Sequence, residues 1–290
     1  MEFGVHLPHV GPAASRDSIL FVARKAEELG FHSLWVSDHV VIPRDMKSAY
    51  PGGRFPVPPE WPFLEPVSTL LFVAAATERI GLGTSILVIT MRQPVVLAKE
   101  LATLDVLSGG RLIFGCGAGW MREEFEALNV PFEKHGPRMA EYLEVIRRCW
   151  TEDDPSFRGR YYRLGNVGFY PKPAQKPHPP IWVGGWAEGA LRRVARYGDA
   201  WHAGGPPELL AQGYARVKEL ARQYGRDPDG IALTVRGDAV GVGEPAQVIE
   251  RLRAYGSAGA SMVMLTFVAA TAEAVGEMMA GFMRDVAGRV

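Results

Sequence analysis

The 290-residue chain carries 32 basic and 32 acidic side chains, so its formal net charge is zero and it lacks the cationic footprint of a nucleic-acid binder or of a protein held to an anionic membrane. With 47% hydrophobic residues it can bury a large core, and α/β barrels of about this length commonly form one domain, expected here over residues 1–290. Two cysteines without CxxC spacing, no N-terminal leader pattern and no apolar run of the roughly 18 residues a membrane helix needs together predict a soluble, cytoplasmic protein acting on small molecules.

Residues 3–7 read as a first strand. After Pro8 a helix is expected from about Ser15, a suitable N-cap, to Leu29, with Ile19, Val22, Ala26 and Leu29 as its buried stripe. Gly30 ends it, and residues 33–37 form the second strand. Residues 38–65 then hold Pro43, Pro51, Pro56, Pro58, Pro59 and Pro62, too many for a helix interior or a central strand. A loop of this length is functional or disordered, and Phe55, Trp61 and Phe63 favour a packed cover over one edge of a site.

Residues 80–88 are apolar on both faces, the pattern of a parallel strand covered on both sides. Pro94 suits the first turn of the following helix because it has no N–H to leave unpaired, and Leu97, Leu101 and Leu104 recur at helical spacing. Ser108-Gly109-Gly110 supplies a left-handed cap, and the next strand starts at Arg111 and runs into Gly115-Cys116-Gly117-Ala118-Gly119. Residues 153–180 form a second proline-rich interruption, expected to carry a short hairpin around Tyr161 and Phe169. Strand five is 181–185, and strands six to eight lie near Trp201, Leu233 and Val263. Helices are expected at 187–197, 207–224, 245–255 and 272–286. Eight alternations predict a (β/α)8 TIM barrel of the α/β class, with insertion loops after strands two and four.

Asp38 and His39 follow the second strand at the carboxyl rim, where barrel enzymes place catalysis, and imidazole can donate or accept a proton near neutral pH. Read from the residues alone, a hydrogen-bonded loop pair accounts for them equally well. Gly184-Gly185-Trp186 closes strand five and opens a helix whose free N–H groups can face an anion, although a tight βα turn needs the same glycines. His6 and His9, three apart, would point to opposite faces of a continuing strand, so no metal site is expected. Glu123 and Glu124 fall on a predicted helix as solvated or capping residues, and Arg111 is expected to pair structurally near the bottom of the barrel.

The run LDVLSGGRLIFGCGAGW, residues 104–120, resembles the signature of the bacterial luciferase-like monooxygenase superfamily, and the similarity extends from Phe3 to about Val268. The resemblance implies a barrel that binds FMN or the deazaflavin coenzyme F420 at the carboxyl ends of its strands, and a homodimer. It implies an active-site histidine at His39, with Asp38 beside it. It further implies that Thr84, Ser85 and Ile86 form a bulge with a non-proline cis peptide behind the cofactor ring. Gly117, Gly119, Gly184, Gly185 and Trp186 would line the cofactor, the last three on its phosphate side.

Members using ordinary flavin often show Glu-His-His where this chain has Ser37-Asp38-His39, which resembles the deazaflavin-dependent dehydrogenases. Hydride transfer between coenzyme F420 and a small organic substrate is therefore expected. An FMN-dependent monooxygenase using molecular oxygen and a non-catalytic flavin-binding barrel are the alternatives. The deazaflavin-dependent sugar-phosphate dehydrogenases carry an acid just after the strand-four glycines; Trp120 stands there instead, which argues against a sugar-phosphate substrate.

Overall fold

A computed structural model describes residues 1–50, 53, 55–237 and 243–290; Pro51, one of the loop prolines above, lies outside the described residues. Strand β1 (Glu2–His6) leads into α1 (Arg16–Glu28), where the Ser15 hydroxyl accepts from the Ser18 N–H at 3.2 Å and so satisfies a first-turn donor. Ile19, Val22 and Ala26 are buried along its inner stripe and Leu29 is half-buried. After β2 (Ser33–Val36) and the proline-rich loop come α2 (Pro66–Ala74), β3 (Gly81–Thr84), β4 (Leu87–Val88), α3 (Pro94–Leu107) and β5 (Leu112–Gly117). Helices α4 (Arg122–Ala127) and α5 (His135–Thr151) precede a small antiparallel hairpin, β6 (Phe157–Arg158) with β7 (Arg163–Leu164). The remainder alternates without interruption: β8 (Ile181–Val183), α6 (Glu188–Tyr197), β9 (Ala200–Ala203), α7 (Pro207–Gln223), β10 (Ala232–Gly237), α8 (Pro245–Ser257), β11 (Ala260–Leu265) and α9 (Ala272–Asp285).

The large sheet is parallel throughout and runs β3-β2-β1-β11-β10-β9-β8-β5, and β5 then returns to β3 through Leu82↔Leu112 and Gly83↔Ile113. That return closes a (β/α)8 barrel and removes the unpaired edges an open sheet would leave. Side chains alternate across each strand. Val5, Leu34, Leu82, Phe114, Val183 and Val235 face outward into one core shared with the helices, whereas Trp35, Ile113, Trp182, Met262 and Met264 fill the barrel. Trp35 stacks on Trp182 at 4.9 Å, and it fits because Gly4 and Gly83 flank it: a Cβ on either would lie 2.3 Å from the indole. Among the described residues no helix is long and apolar enough to cross a membrane.

The third strand, read from apolar patterning as continuous over 80–88, is broken at Ser85-Ile86, and the peptide there is cis, as the family resemblance implies. Gly83 pairs with Ile113 and Leu87 with Cys116, so four steps on one side match three on the other and one extra residue bulges out. Apolar patterning alone does not register such an insertion, whereas the family resemblance does. The hairpin includes Tyr161 in its turn but not Phe169, which is buried against the core with the Lys99 ammonium 4.5 Å from its ring. Arg111 does act structurally at the amino ends of the strands, donating to the carbonyls of Ala74, Thr77, Ile80 and Ser108 and so capping the exit of α2.

Candidate active site

The carboxyl ends of the strands gather most of the residues singled out from sequence. His39, just beyond β2, is nearly enclosed: its ring meets Phe55 at 5.0 Å, Phe63 at 5.4 Å and Trp120 at 6.0 Å, all edge-on. The 38–65 loop therefore does pack over the site. Leu64 N–H donates to the His9 carbonyl and Gly11 N–H to that of Pro62, while Tyr50 and Phe55 lean on Trp120.

Asp38 and His39 do not bond each other. Both Asp38 oxygens are taken, Oδ2 by Arg92 Nη1 at 2.6 Å and the Val88 N–H at 2.8 Å, Oδ1 by Arg92 Nη2 at 2.9 Å. Burial raises the Asp38 carboxyl above its ordinary range against the pull of Arg92 and Val88. The carboxylate partner of His39 is Glu124, from α4. His39 Nδ1 donates to Glu124 Oε2 at 2.9 Å, and Oε1 accepts from the Val40 N–H at 2.6 Å. Glu124 is 2% exposed, so it is not the solvated residue expected from sequence. Neighbouring Glu123 is likewise engaged, accepting from the N–H groups of Lys47 and Ser48 at 2.7 and 2.9 Å. Sequence reasoning missed Glu124. The available signal was its place on the first turn after strand four, on the same rim as His39.

Thr84, Ser85 and Ile86 are brought together with Gly117 and Gly184. The Thr84 hydroxyl donates to the Gly115 carbonyl at 2.6 Å, and the Ile86 side chain lies where a Cβ on Gly117 or Gly184 would come within 2.8 and 2.2 Å of it. These glycines make room for the bulge itself. Ser85 Oγ lies 2.9 Å from His202 Nε2, and His202 Nδ1 lies 2.9 Å from Thr234 Oγ1. Since Thr234 donates onward to the Trp201 carbonyl at 3.4 Å, the network assigns the His202 proton to Nδ1 and makes Ser85 a donor to Nε2. Burial pushes the His202 imidazole down to about 3, with the nearby Arg236 charge adding to it, so the ring is neutral.

Gly119 stands apart from the bulge, with φ +88° and its α-carbon facing Phe125 and Val88. Gly185, φ +114°, turns the chain into α6, and a Cβ there would meet that of Ala190 at 2.8 Å. Trp186 is 42% exposed, donates Nε1–H to the Gly204 carbonyl at 2.9 Å and stands edge-on to Trp201. Among the described residues no side chain caps the start of α6. Arg193, from the second turn of α6, lies beside Gly136 and Gly189, its Nη1 3.1 and 3.7 Å from where their Cβ atoms would be. The helix N-termini of α5 and α6 thus share one guanidinium, whose buried Nε has no hydrogen-bond partner among the described residues. Burial lowers the Arg193 pKa.

His6 and His9 do come together, ring to ring at 4.9 Å, because the strand ends between them. His9 is committed, Nδ1 to the Leu7 carbonyl and Nε2 to the Ser37 N–H, and burial holds it at about 4. Among the described residues no group of three or more potential ligands could hold a metal ion.

Three comparisons bear on this geometry. The chain is 34% identical over 209 residues to an uncharacterized protein of Mycobacterium tuberculosis, covering 71% of this chain and 72% of that one. It is 32% identical over 238 residues to an F420-dependent glucose-6-phosphate dehydrogenase of Kineococcus radiotolerans, covering 80% of this chain and 66% of the relative. The solved structure of the monooxygenase RslO1 from Streptomyces bottropensis superposes with a TM-score of 0.81 at 24% identity, over 98% of both chains, a likeness of fold. With a family model matching residues 1–240, the chain belongs to the luciferase-like monooxygenase family and is an oxidoreductase of that kind.

Proposed function

We propose that this protein is a deazaflavin-dependent oxidoreductase that moves hydride between coenzyme F420 and a small organic substrate, with residues 1–290 working as one unit. The observation that carries the reading is His39, fixed at the barrel mouth by Glu124 with its Nε2 unpartnered among the described residues and walled by Phe55, Phe63 and Trp120. Such a group can exchange a proton with a substrate oxygen. A deazaflavin supplies the complementary hydride chemistry when bound. Trp120, where the deazaflavin-dependent sugar-phosphate dehydrogenases carry an acid, argues against a sugar-phosphate substrate, and the relative named for F420 supports the choice of cofactor.

The residues present fit such a group. Ser85 and Ile86 offer a backing surface braced by His202, with Gly117 and Gly184 leaving space beneath. Arg193 at two helix N-termini, lacking a carboxylate partner among the described residues, suits a phosphate reached through Gly185 and Trp186. Within this reading Asp38 positions the start of the rim loop through Arg92 and does not itself react. A homodimer in the cytoplasm belongs to the same reading, supported by exposed Phe21, Phe72 and Leu107 on α1 to α3 and by two buried free thiols.

Titrating apo-protein with coenzyme F420 and with FMN, followed by fluorescence quenching and oxygen uptake, tests the assignment. F420 should bind selectively without oxygen consumption. Tight FMN binding with oxygen uptake and no F420 affinity would replace it with the FMN monooxygenase. Arg193→Gln should weaken cofactor binding about tenfold.

A further inference from the structure

We infer that the barrel carries a second ligand site at the end opposite His39, an arginine-lined cavity that takes a small polyanion bearing phosphate or carboxylate groups. The inference is independent of the cofactor assignment, because the cavity lies at the amino ends of the strands and shares no residue with the barrel mouth.

The cavity holds about 530 Å³, room for a small metabolite, and opens where α5, α6 and α7 finish beneath β8 and β9. Arg147 lies in the last two turns of α5, Arg196 and Tyr197 end α6, and Tyr224 and Arg226 follow α7. Asp199 fixes the cavity's place in the fold: it precedes β9, and its Oδ2 accepts from the N–H of Ile181, the first residue of β8, at 2.8 Å.

Three guanidiniums meet one carboxylate in the cavity wall. Helix C-termini attract cations by themselves, and one of the three is accounted for in that way. Arg226 Nη1 donates to the carbonyls of Ala195 at 3.1 Å and Gly198 at 2.8 Å, capping the end of α6, and its Nη2 stands 3.9 Å from Asp199 Oδ1. The other two are less engaged. Arg147 reaches Glu144 at 3.5 Å, but that carboxylate is already taken by Arg148 at 3.0 Å. Arg196 has no carboxylate or carbonyl partner among the described residues, and its guanidinium lies over the Tyr197 ring, 5.0 Å from the centroid.

Tyr197 is 8% exposed, and neither its hydroxyl nor that of Tyr224 has a hydrogen-bond partner among the described residues. Burial raises the Tyr197 pKa above its ordinary value, so this hydroxyl stays protonated and able to donate. Planar guanidinium forks beside hydroxyl donors match the oxygens of a phosphate or a carboxylate. The volume exceeds what one inorganic phosphate fills, so the ligand carries a body as well as charge.

Isothermal titration of the purified protein with pyrophosphate and with citrate, at low ionic strength, tests the site. At least one should bind saturably with a Kd of about 1 mM or tighter. Preference for pyrophosphate assigns a phosphorylated ligand, and preference for citrate a polycarboxylate. Arg196→Gln should weaken the binding about tenfold or more, and Tyr197→Phe, which removes only a hydroxyl, about threefold. Arg193→Gln, at the proposed cofactor phosphate contact, should leave it unchanged. No saturable binding of either anion, or affinities unaltered in Arg196→Gln and Tyr197→Phe, overturns the inference and leaves these arginines as helix-end charges. Binding lost in Arg193→Gln instead also overturns it, since the anion would then sit at the barrel mouth. No arm requires F420 to bind, so a failure here is separable from a failure of the F420 assignment.

Discussion

Gly115 faces the Thr84 carbonyl oxygen across the barrel wall so closely that a Cβ on residue 115 would stand 1.8 Å from that oxygen. The bulge pushes the Thr84 carbonyl into the space a side chain on β5 would occupy, and neither backbone can yield without breaking the parallel ladder beside it. Gly115→Ala should therefore destabilise the fold by about 3 kcal/mol through overpacking. Gly165→Ala, where nothing lies within 4 Å, is the control and should change stability by less than about 0.5 kcal/mol. Urea midpoints of the two variants give the comparison; equal midpoints would mean the strand relaxes freely.

Asp38→Asn tests whether this carboxylate is structural. The variant takes away the closer of the two carboxylates on the largely buried Arg92 guanidinium, leaving, among the described residues, only Glu65 at 3.5 Å, so stability should drop by about 2 kcal/mol. Activity normalised to folded protein should change far less than in His39→Ala. A catalytic acid would show the reverse, with full stability and lost turnover.

His39→Ala should retain F420 affinity within several-fold and lose turnover by about 10²–10⁴-fold. It also removes one partner of buried Glu124, so a stability loss of about 2 kcal/mol should accompany it. Stopped-flow hydride transfer separates the two effects. Unchanged turnover would assign His39 to packing alone.

Folded-state stability should fall as pH drops below about 6.5. His202 at about 3 and His9 at about 4 stay neutral in the fold, whereas the unfolded chain protonates them near 6.5. Between those values the unfolded state binds more protons, so each group removes about 1.4 kcal/mol of stability per pH unit, and the contribution is fully present only above 6.5. Denaturation curves at pH 7, 6 and 5 measure the slope. His202→Asn should flatten it by one proton's worth; an unaltered slope would show that His202 titrates normally.

A substitution at Gly185 is less informative than sequence alone suggests. Reading the GGW turn as a phosphate contact makes Gly185→Asp a clean test of affinity at unchanged stability, yet φ +114° and the nearby Ala190 Cβ mean any side chain there is strained. Arg193→Gln probes the proposed phosphate contact without touching the turn.

The barrel was legible in the sequence because its causes are local. Apolar strands covered on both sides, Pro94 at a helix start, the Ser15 cap and the Ser108-Gly109-Gly110 exit each leave a mark within a few residues. Eight repeats of that rhythm leave few architectures to consider. His39 was legible for the same reason, since its position follows directly from the end of β2. Its partner was not. Glu124 lies 85 residues away, and only closure of the barrel brings the two rim segments to 2.9 Å. The roles of Asp38, Gly115, Gly117 and Gly184 were likewise decided by contacts across the barrel, with Arg92, the Thr84 carbonyl and the Ile86 side chain. Sequence spacing carries the periodicity of one element, whereas a bulge's extra residue and a carboxylate's choice of partner are settled by which distant groups the closed sheet presses together.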